Sequence, residues 1–332
     1  MRRLFSNTKF DFIGVRKYAY GLTAAFFIPG LVLLLTRGLN YGIEFTGGTM
    51  VHVNAHQTVD AGKLRQALDA VGLHGAEIQA FGSDQEYTIR ARSHEQGGAE
   101  NADSTVAAVR RALDQTLDRA HPYEIVRSEA VGPKVGSELR QKAMIAILLS
   151  FGAILIYLAF RFEWRFGLSA IAATAHDVLG TVMFISLMRL EVSLVIVGAV
   201  LSVLGLSLNE TVIIFDRVRE NERKRLKLDL PAVLNLSINE TMPRTVLTHG
   251  TTLSTMLTLA IFGGAVIRPF AIVMFFGVFT GIFSSMFIAP VALMYIRRRW
   301  PLEGTARRPS APAVSSPAPH REAAPRKPQP AR

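Results

Sequence analysis

Not one cysteine occurs among the 332 residues. That absence excludes a disulfide framework, a thiolate metal site and a cysteine nucleophile, and leaves the compartment open. Also missing are a Ser/His/Asp order, a paired-carboxylate hydrolase pattern and an H-E-x-x-H metal helix. No basic, aromatic-lined patch for nucleic acid is present. Acid is scarce beside base: 26 Asp and Glu against 37 Lys and Arg give a formal net charge of +11. Conventional catalysis, a cofactor and a nucleic-acid partner are therefore not expected.

What the chain has is apolar length. Hydrophobic residues make up 49% and the mean hydropathy is +0.27. Soluble domains rarely combine such values with so much base, whereas membrane proteins with basic flanks do. Crossing a bilayer takes about 20 apolar residues. Six runs qualify, near 18–35, 144–160, 166–188, 194–215, 245–262 and 269–296. Thr36-Arg37 follows the first run where a cleaved leader would have small residues, so it reads as a retained anchor.

Basic residues in short flanks set orientation. Arg2, Arg3, Lys9, Arg16 and Lys17 precede the first span, and Arg161 and Arg165 fill the turn between the second and third. Arg217, Arg219, Arg223, Lys224, Arg225 and Lys227 follow the fourth, and Arg297, Arg298 and Arg299 the sixth. Six spans put all of these on one side, leaving single basic residues, Arg189 and Arg268, in the opposite turns. Both termini are expected in the cytoplasm and the insertion after span one outside it.

That insertion, about 38–138, is the only sizeable soluble module. Thr49 to Val53 alternates like a half-buried strand, and 58–71 carries Leu64, Leu68 and Val71 on one helical stripe. Strands are expected at 77–81 and 87–92, a second helix with Val106, Val109, Leu113 and Leu117 in register, and a last strand at 123–127. The order β-α-β-β-α-β is that of the ferredoxin-like motif. Eight of the fifteen prolines fall between Pro301 and Pro330. Such a segment buries too little apolar surface to offset its ordering entropy, so a disordered basic tail is expected. The resulting division is 1–36, 37–140, 141–299 and 300–332.

"NYGIEFTGGTM", Asn40 to Met50, joins span one to the first strand. Gly42, Gly47 and Gly48 are mis-spaced for a phosphate loop, and no lysine follows them. Paired glycines between a helix and a strand permit a tight bend or a close backbone approach, which makes this stretch, with Glu44, a joint or an inert connection.

Ionisable groups inside spans are functional candidates by default, since each costs roughly 2.5–3.5 kcal/mol to insert at mid-bilayer. Asp177, beside His176, lies in span three, Glu210 near the end of span four and Arg244 at the mouth of span five. Position alone gives Glu210 and Arg244 similar depths and allows two roles, an ion relay or a static pair that orients two helices. Gly198, Ser202, Gly205 and Asn209 form a small-residue face beside Glu210, and Gly277 and Gly281 a GxxxG pair. Thr248, Thr251, Thr252, Thr255 and Thr258 make span five polar on one side, and His249 fits a plain helix–helix bond. Residues 231–242 read as a short amphipathic helix on the membrane surface. The charges at 216–221 read as topology determinants in water.

Four motifs together carry a resemblance: "GIEFTGGT" after span one, "AHDV" in span three, "LSLNETVIIFDRVREN" ending span four and "RTVLTHGTTL" opening span five. In this order and spacing the chain resembles the SecF side of the SecD/SecF family, over about 11–297. The resemblance implies an RND-type half: six transmembrane helices and one periplasmic α+β ferredoxin-like domain in the bacterial inner membrane. It implies a SecD partner that supplies six more spans, and work with the SecYEG channel, with YajC and YidC and a translocating preprotein as further partners among membrane lipids. The proton gradient, or that of another cation, would drive periplasmic motion that promotes export. The family's membrane acid maps onto Glu210, its arginine onto Arg244 and its H-D-V acid onto Asp177, with Asn209, His176, Thr248 and Thr252 as supporting polar groups. Glu210 and Glu44 stand where Asp is common, and His249 where Ser is common. A small-molecule or lipid exporter of the same superfamily and a non-transporting scaffold are the competing readings.

Overall fold

The computed structural model describes residues 8–81, 83–91, 100–117, 123–224, 228–264 and 266–301. The expected tail beyond Trp300-Pro301, and Arg2, Arg3, Arg225 and Lys227, lie outside them.

Six helices are long and apolar enough to span a membrane. They are α1 (Arg16–Arg37), α5 (Pro133–Arg161), α6 (Trp164–Leu187), α7 (Leu194–Lys224), α8 (Leu230–Phe262) and a last span made of α9 (Ile267–Phe283), a π-helical turn at Ser284–Ile288 and α10 (Ala289–Arg299). Between α1 and α5 come β1 (Asn40–Tyr41), the short α2 (Ile43–Thr46), β2 (Gly48–Asn54), α3 (Ala61–Ala70), β3 (Glu77–Phe81), β4 (Ser83–Ala91), α4 (Glu100–Thr116) and β5 (Glu124–Val131). A two-residue strand, β6 (Glu191–Val192), sits in the turn between α6 and α7.

The module follows the β-α-β-β-α-β order, with an antiparallel sheet ordered β3-β4-β2-β5. That arrangement is the split-βαβ motif. β2 alternates as its sequence predicts, burying Val51 and Val53 against Leu64 and Leu68 of α3 and Val109 and Leu113 of α4. The Asp60 carboxylate caps α3 by accepting from the Gly62 and Lys63 amides, which is why the helix starts there and not at Thr58.

Two boundaries and one set of charges differ from the sequence expectation. The α5 helix runs unbroken from Pro133, so residue 140 falls inside it; proline at the first turn lacks only an amide that no helical carbonyl would use. Residues 231–242 are not a separate surface helix but the first turns of α8, which continues through Pro243. Val233, Leu234 and Ile238 on this stretch are buried in the bundle core with Phe12, Phe166, Phe215 and Leu293. The segment before α1 is tied to the same turns: Asn239 bonds both backbone groups of Phe10, and Asn235 bonds the Ile13 amide and the Asp11 carboxylate. Third, the charges at 216–221 are partly built in. Asn221 is buried and donates to Glu240 and Ser237, and Arg217 Nε donates to Glu240 at 2.8 Å, binding the ends of α7 and α8.

Apolar surface gains nothing by leaving lipid for another helix, so close approach of small residues decides membrane packing. Gly277 and Gly281 behave accordingly. A Cβ on Gly277 would lie 2.2 Å from a Val203 methyl carbon, and one on Gly281 3.2 Å from Ser207 Cβ. The Gly198, Ser202, Gly205 and Asn209 face has no such neighbour among the described residues: Ser202, Gly205 and Asn209 are exposed, and a Cβ on either glycine meets none of them within 4 Å.

Candidate functional site

Two carboxylates are sealed inside the bundle. Asp177 is 0% exposed and Glu210 2%. Asp177 points from α6 into a cage of donors. Ser207 of α7 and Ser284 of the π turn both donate to Oδ2, the latter at 2.5 Å, and His176 Nδ1 lies 3.0 Å from Oδ1. The π turn widens the last span by one residue where Ser284 enters the cage, a placement typical of functional helix irregularities. His176 stacks on Phe27 of α1 with ring centroids 4.5 Å apart.

Glu210 sits three residues beyond Ser207 on α7. Residues three apart share a helix face, so one turn of α7 joins the two acids. Thr245 Oγ1 donates to Glu210 Oε1, and His249 Nε2 lies 2.9 Å from Oε2. Thr245 and His249 are one helical turn apart on α8 and both buried.

Arg244 does not pair with Glu210. It is exposed, and among the described residues the side chains bonded to Glu210 are Thr245 and His249. The reason is angular: each helical residue turns about 100°, so with Thr245 and His249 facing inward, Arg244 lies on the flank. Thr248 is likewise exposed, Thr252 is half-buried, and Asn209 faces outward beside Glu210. The threonine stripe satisfies its hydroxyls on its own helix, as in Thr252 to the Thr248 carbonyl at 3.0 Å and Thr255 to Thr251 at 3.0 Å. Sequence reasoning missed Ser207, Ser284 and Thr245 and left His249 as a plain helix bond. The available signal was polar side chains within one turn of a membrane acid.

The glycine stretch is a packed junction. β1 pairs in parallel with β6, and the Gly42 amide donates to the Val192 carbonyl at 2.9 Å. Gly47 has φ +74°, and a Cβ there would lie 2.7 Å from Pro133 Cα. Glu44 reaches the start of α7 and accepts the Leu194 amide at 2.7 Å, while Ser193 accepts that of Ile196 at 3.3 Å. A carboxylate at a helix N-terminus is favoured by the helix dipole. Arg90 of β4 crosses to the same place, pairing with Glu191 and also donating to Gln79 at 3.2 Å and Glu77 at 3.4 Å. Burial pushes the Glu191 carboxyl above its ordinary range; Arg90 opposes the shift, and Glu44 and Glu77 add to it.

No group of three metal-ligating side chains occurs among the described residues. The class these features define is a polytopic α-helical membrane protein, an RND-type half with an α+β insertion after its first span. The family model described as "Protein export membrane protein SecD/SecF, C-terminal" matches residues 109–299, and the "SecD/SecF GG Motif" matches 32–59. Similar curated proteins include "Protein translocase subunit SecF" of Gemmatimonas aurantiaca, 48% identical over 91% of each chain. Proteins of the same description from Rickettsia bellii and Magnetococcus marinus are 37% and 42% identical over 90% and 89% of this chain, and 98% and 94% of theirs. A crystal structure of SecDF, a translocon-associated membrane protein from Thermus thermophilus, aligns with TM-score 0.80 at 32% identity over 89% of this chain. A SecDF structure in a super-membrane-facing form aligns with TM-score 0.62 at 33% identity over 88%. The chain spans 40% and 39% of those two SecDF chains. It belongs to the SecD/SecF family of protein export membrane proteins.

Proposed function

We propose that the chain is an accessory subunit of the Sec preprotein translocase that works only with a SecD half. It uses the gradient of a cation, the proton first among candidates, to move its extramembrane module and promote late export through SecYEG. The carrying observation is the pair of sealed carboxylates linked through one turn of α7, the helix whose outer end Glu44 caps. One charge crossing 100 mV releases about 2.3 kcal/mol, so a few ions supply a modest domain movement. Movement itself has support in the two SecDF neighbours. Identity and coverage are nearly equal, yet the TM-scores are 0.80 and 0.62, so the two SecDF structures arrange the matched elements differently from each other.

Glu210 and Asp177 are the ion-carrying groups in this reading, and Arg244 serves from the exposed flank toward the partner half. The unpartnered face of Ser202, Gly205 and Asn209 is where a SecD half packs, because small residues let helices approach closely. The module lies in the periplasm, both termini lie in the cytoplasm, and the membrane is the bacterial inner membrane, in keeping with the basic flanks. Copurification with a SecD half, followed by in vitro export with and without an ion gradient, tests the proposal. Equal stimulation with and without the gradient would refute it.

A further inference from the structure

We infer that His249 forms a proton-sharing pair with Glu210, so that the pair, and not the carboxylate alone, takes up and returns one proton in each working cycle. The inference rests on the gradient-driven function proposed above and names the group that loads the ion.

The geometry is closed on every side but one. Glu210 Oε1 accepts from Thr245, Oε2 lies 2.9 Å from His249 Nε2, and both side chains are buried, at 2% and 3% exposure. His249 Nδ1 is buried with no hydrogen-bond partner among the described residues. With Glu210 ionised and His249 neutral, the imidazole proton sits on Nε2 and the pair carries one negative charge. An arriving proton forms an N–H bond at Nδ1. The Nε2–H bond then breaks as an O–H bond forms at Oε2, leaving neutral imidazole, a carboxylic acid and no net charge. The contact between Nε2 and Oε2 persists in both states. Loading is therefore expressed at Nδ1, where a lone pair becomes a buried donor.

A buried donor without an acceptor is unfavourable, which gives the loaded pair a reason to move. A shift of α8 against α7 that brings Nδ1 to water or to a polar group of the partner half is favoured only when the proton is on board. The same arrangement is poor for a hard metal cation, which seeks several oxygen ligands. Here an imidazole and a hydroxyl donor already hold the two carboxylate oxygens.

Among the described residues no other charged side chain is bonded to this pair; on α6, Asp177 is held by Ser207, Ser284 and His176. On α8, Arg244 is exposed on the flank and Glu240 is bonded to Arg217 and Asn221. From α7 only Glu210 faces His249; Asp216 and Glu220 are held by Arg161 and by Arg217 with Lys224. From α9 the one titratable side chain is Arg268, which bonds the Ala260 carbonyl at the far end of α8. On α10, Arg297 is paired with Glu222.

The test uses the full chain with its partner half, reconstituted in proteoliposomes, as wild type, H249Q, H249N and E210Q. H249Q keeps a donor near the Nε2 position and cannot titrate. The expected result is that H249Q assembles, its gradient-driven flux falls at least tenfold at the optimum, and the pH midpoint moves by one unit or more. Infrared difference spectra of the wild type then show carboxyl and imidazole bands changing over one pH range, with the carboxyl change lost in E210Q. A wild-type midpoint and rate in H249Q and H249N would overturn the inference, as would carboxyl titration in the wild type without an imidazole change. If H249Q fails to assemble, H249N and the wild-type infrared titration decide. Loss of flux in E210Q with an unchanged profile in H249Q refutes the pair and leaves the proposed function standing. Absence of gradient-driven flux in the wild type refutes the function itself.

Discussion

Arg90 of the α+β module and Glu191 of the α6–α7 turn form an ion pair across the junction between module and membrane bundle. It joins the sheet to the loop that starts α7, the helix carrying Glu210. Arg90→Ala removes the pair and leaves the Glu191 carboxylate half-buried against Glu44. The expected cost is about 1–3 kcal/mol for a buried charge left without its partner. Hydrogen exchange at 188–194 should accelerate while the module core at Val51 and Ile89 stays protected. Unchanged exchange at the junction would remove the pair from the coupling path.

The acid dependence of this junction follows from Glu191. Burial raises its folded-state pKa above the usual 4.5, so the folded protein binds that proton more tightly than the unfolded chain does. The group's contribution to stability is least favourable at neutral pH and improves as pH falls through the folded value toward 4.5. Melting temperatures of wild type and Glu191→Gln, compared from pH 7 downward, should show the wild type gaining relative to the variant. A wild type that loses ground over that window contradicts the assignment.

Gly47→Ala strikes the joint. Its φ of +74° and the 2.7 Å approach to Pro133 Cα leave a methyl group no place without moving backbone. Strain of this kind costs about 1–3 kcal/mol. Gly152→Ala on α5, where a Cβ meets nothing, is the control and should leave the melting temperature unchanged or slightly raised.

The Asp177 cage predicts a contrast between two serines one and a half turns apart on α7. Ser207→Ala removes a donor to a buried carboxyl oxygen, at about 1–3 kcal/mol for a buried polar group that loses its partner. Ser202→Ala removes only a bond to its own helix carbonyl, Gly198 O, and should be near neutral in the chain alone. Thermal unfolding in detergent separates the two.

Much of this was legible in the sequence, because long apolar runs and period-2 alternation are local signals. They give the six spans, the strand at Thr49–Val53 and the helix of Leu64 and Leu68. Position along a helix also marked Asp177 and Glu210 as buried acids. Direction was not legible. Arg244 and Thr245 differ by one residue and by about 100°, and only the packing of α8 on α7 decides which of them meets Glu210. The separate surface helix expected at 231–242 is likewise the start of α8, which runs on through Pro243, because its first turns are held by Asn235, Asn239 and the core around Leu234. The cage of Ser207 and Ser284 joins residues 77 positions apart, and the π turn that delivers Ser284 has no periodicity a sequence displays.

The central claim is that Glu210, sealed between α7 and α8, carries the coupling ion, and the direct measurement is gradient-stimulated export by Glu210→Gln. The amide can keep bonds to Thr245 and His249 but cannot release a proton. Inverted membrane vesicles containing the variant with its partner half should export at the rate seen without a gradient, with the complex intact on copurification. Full gradient stimulation in that variant would contradict the account.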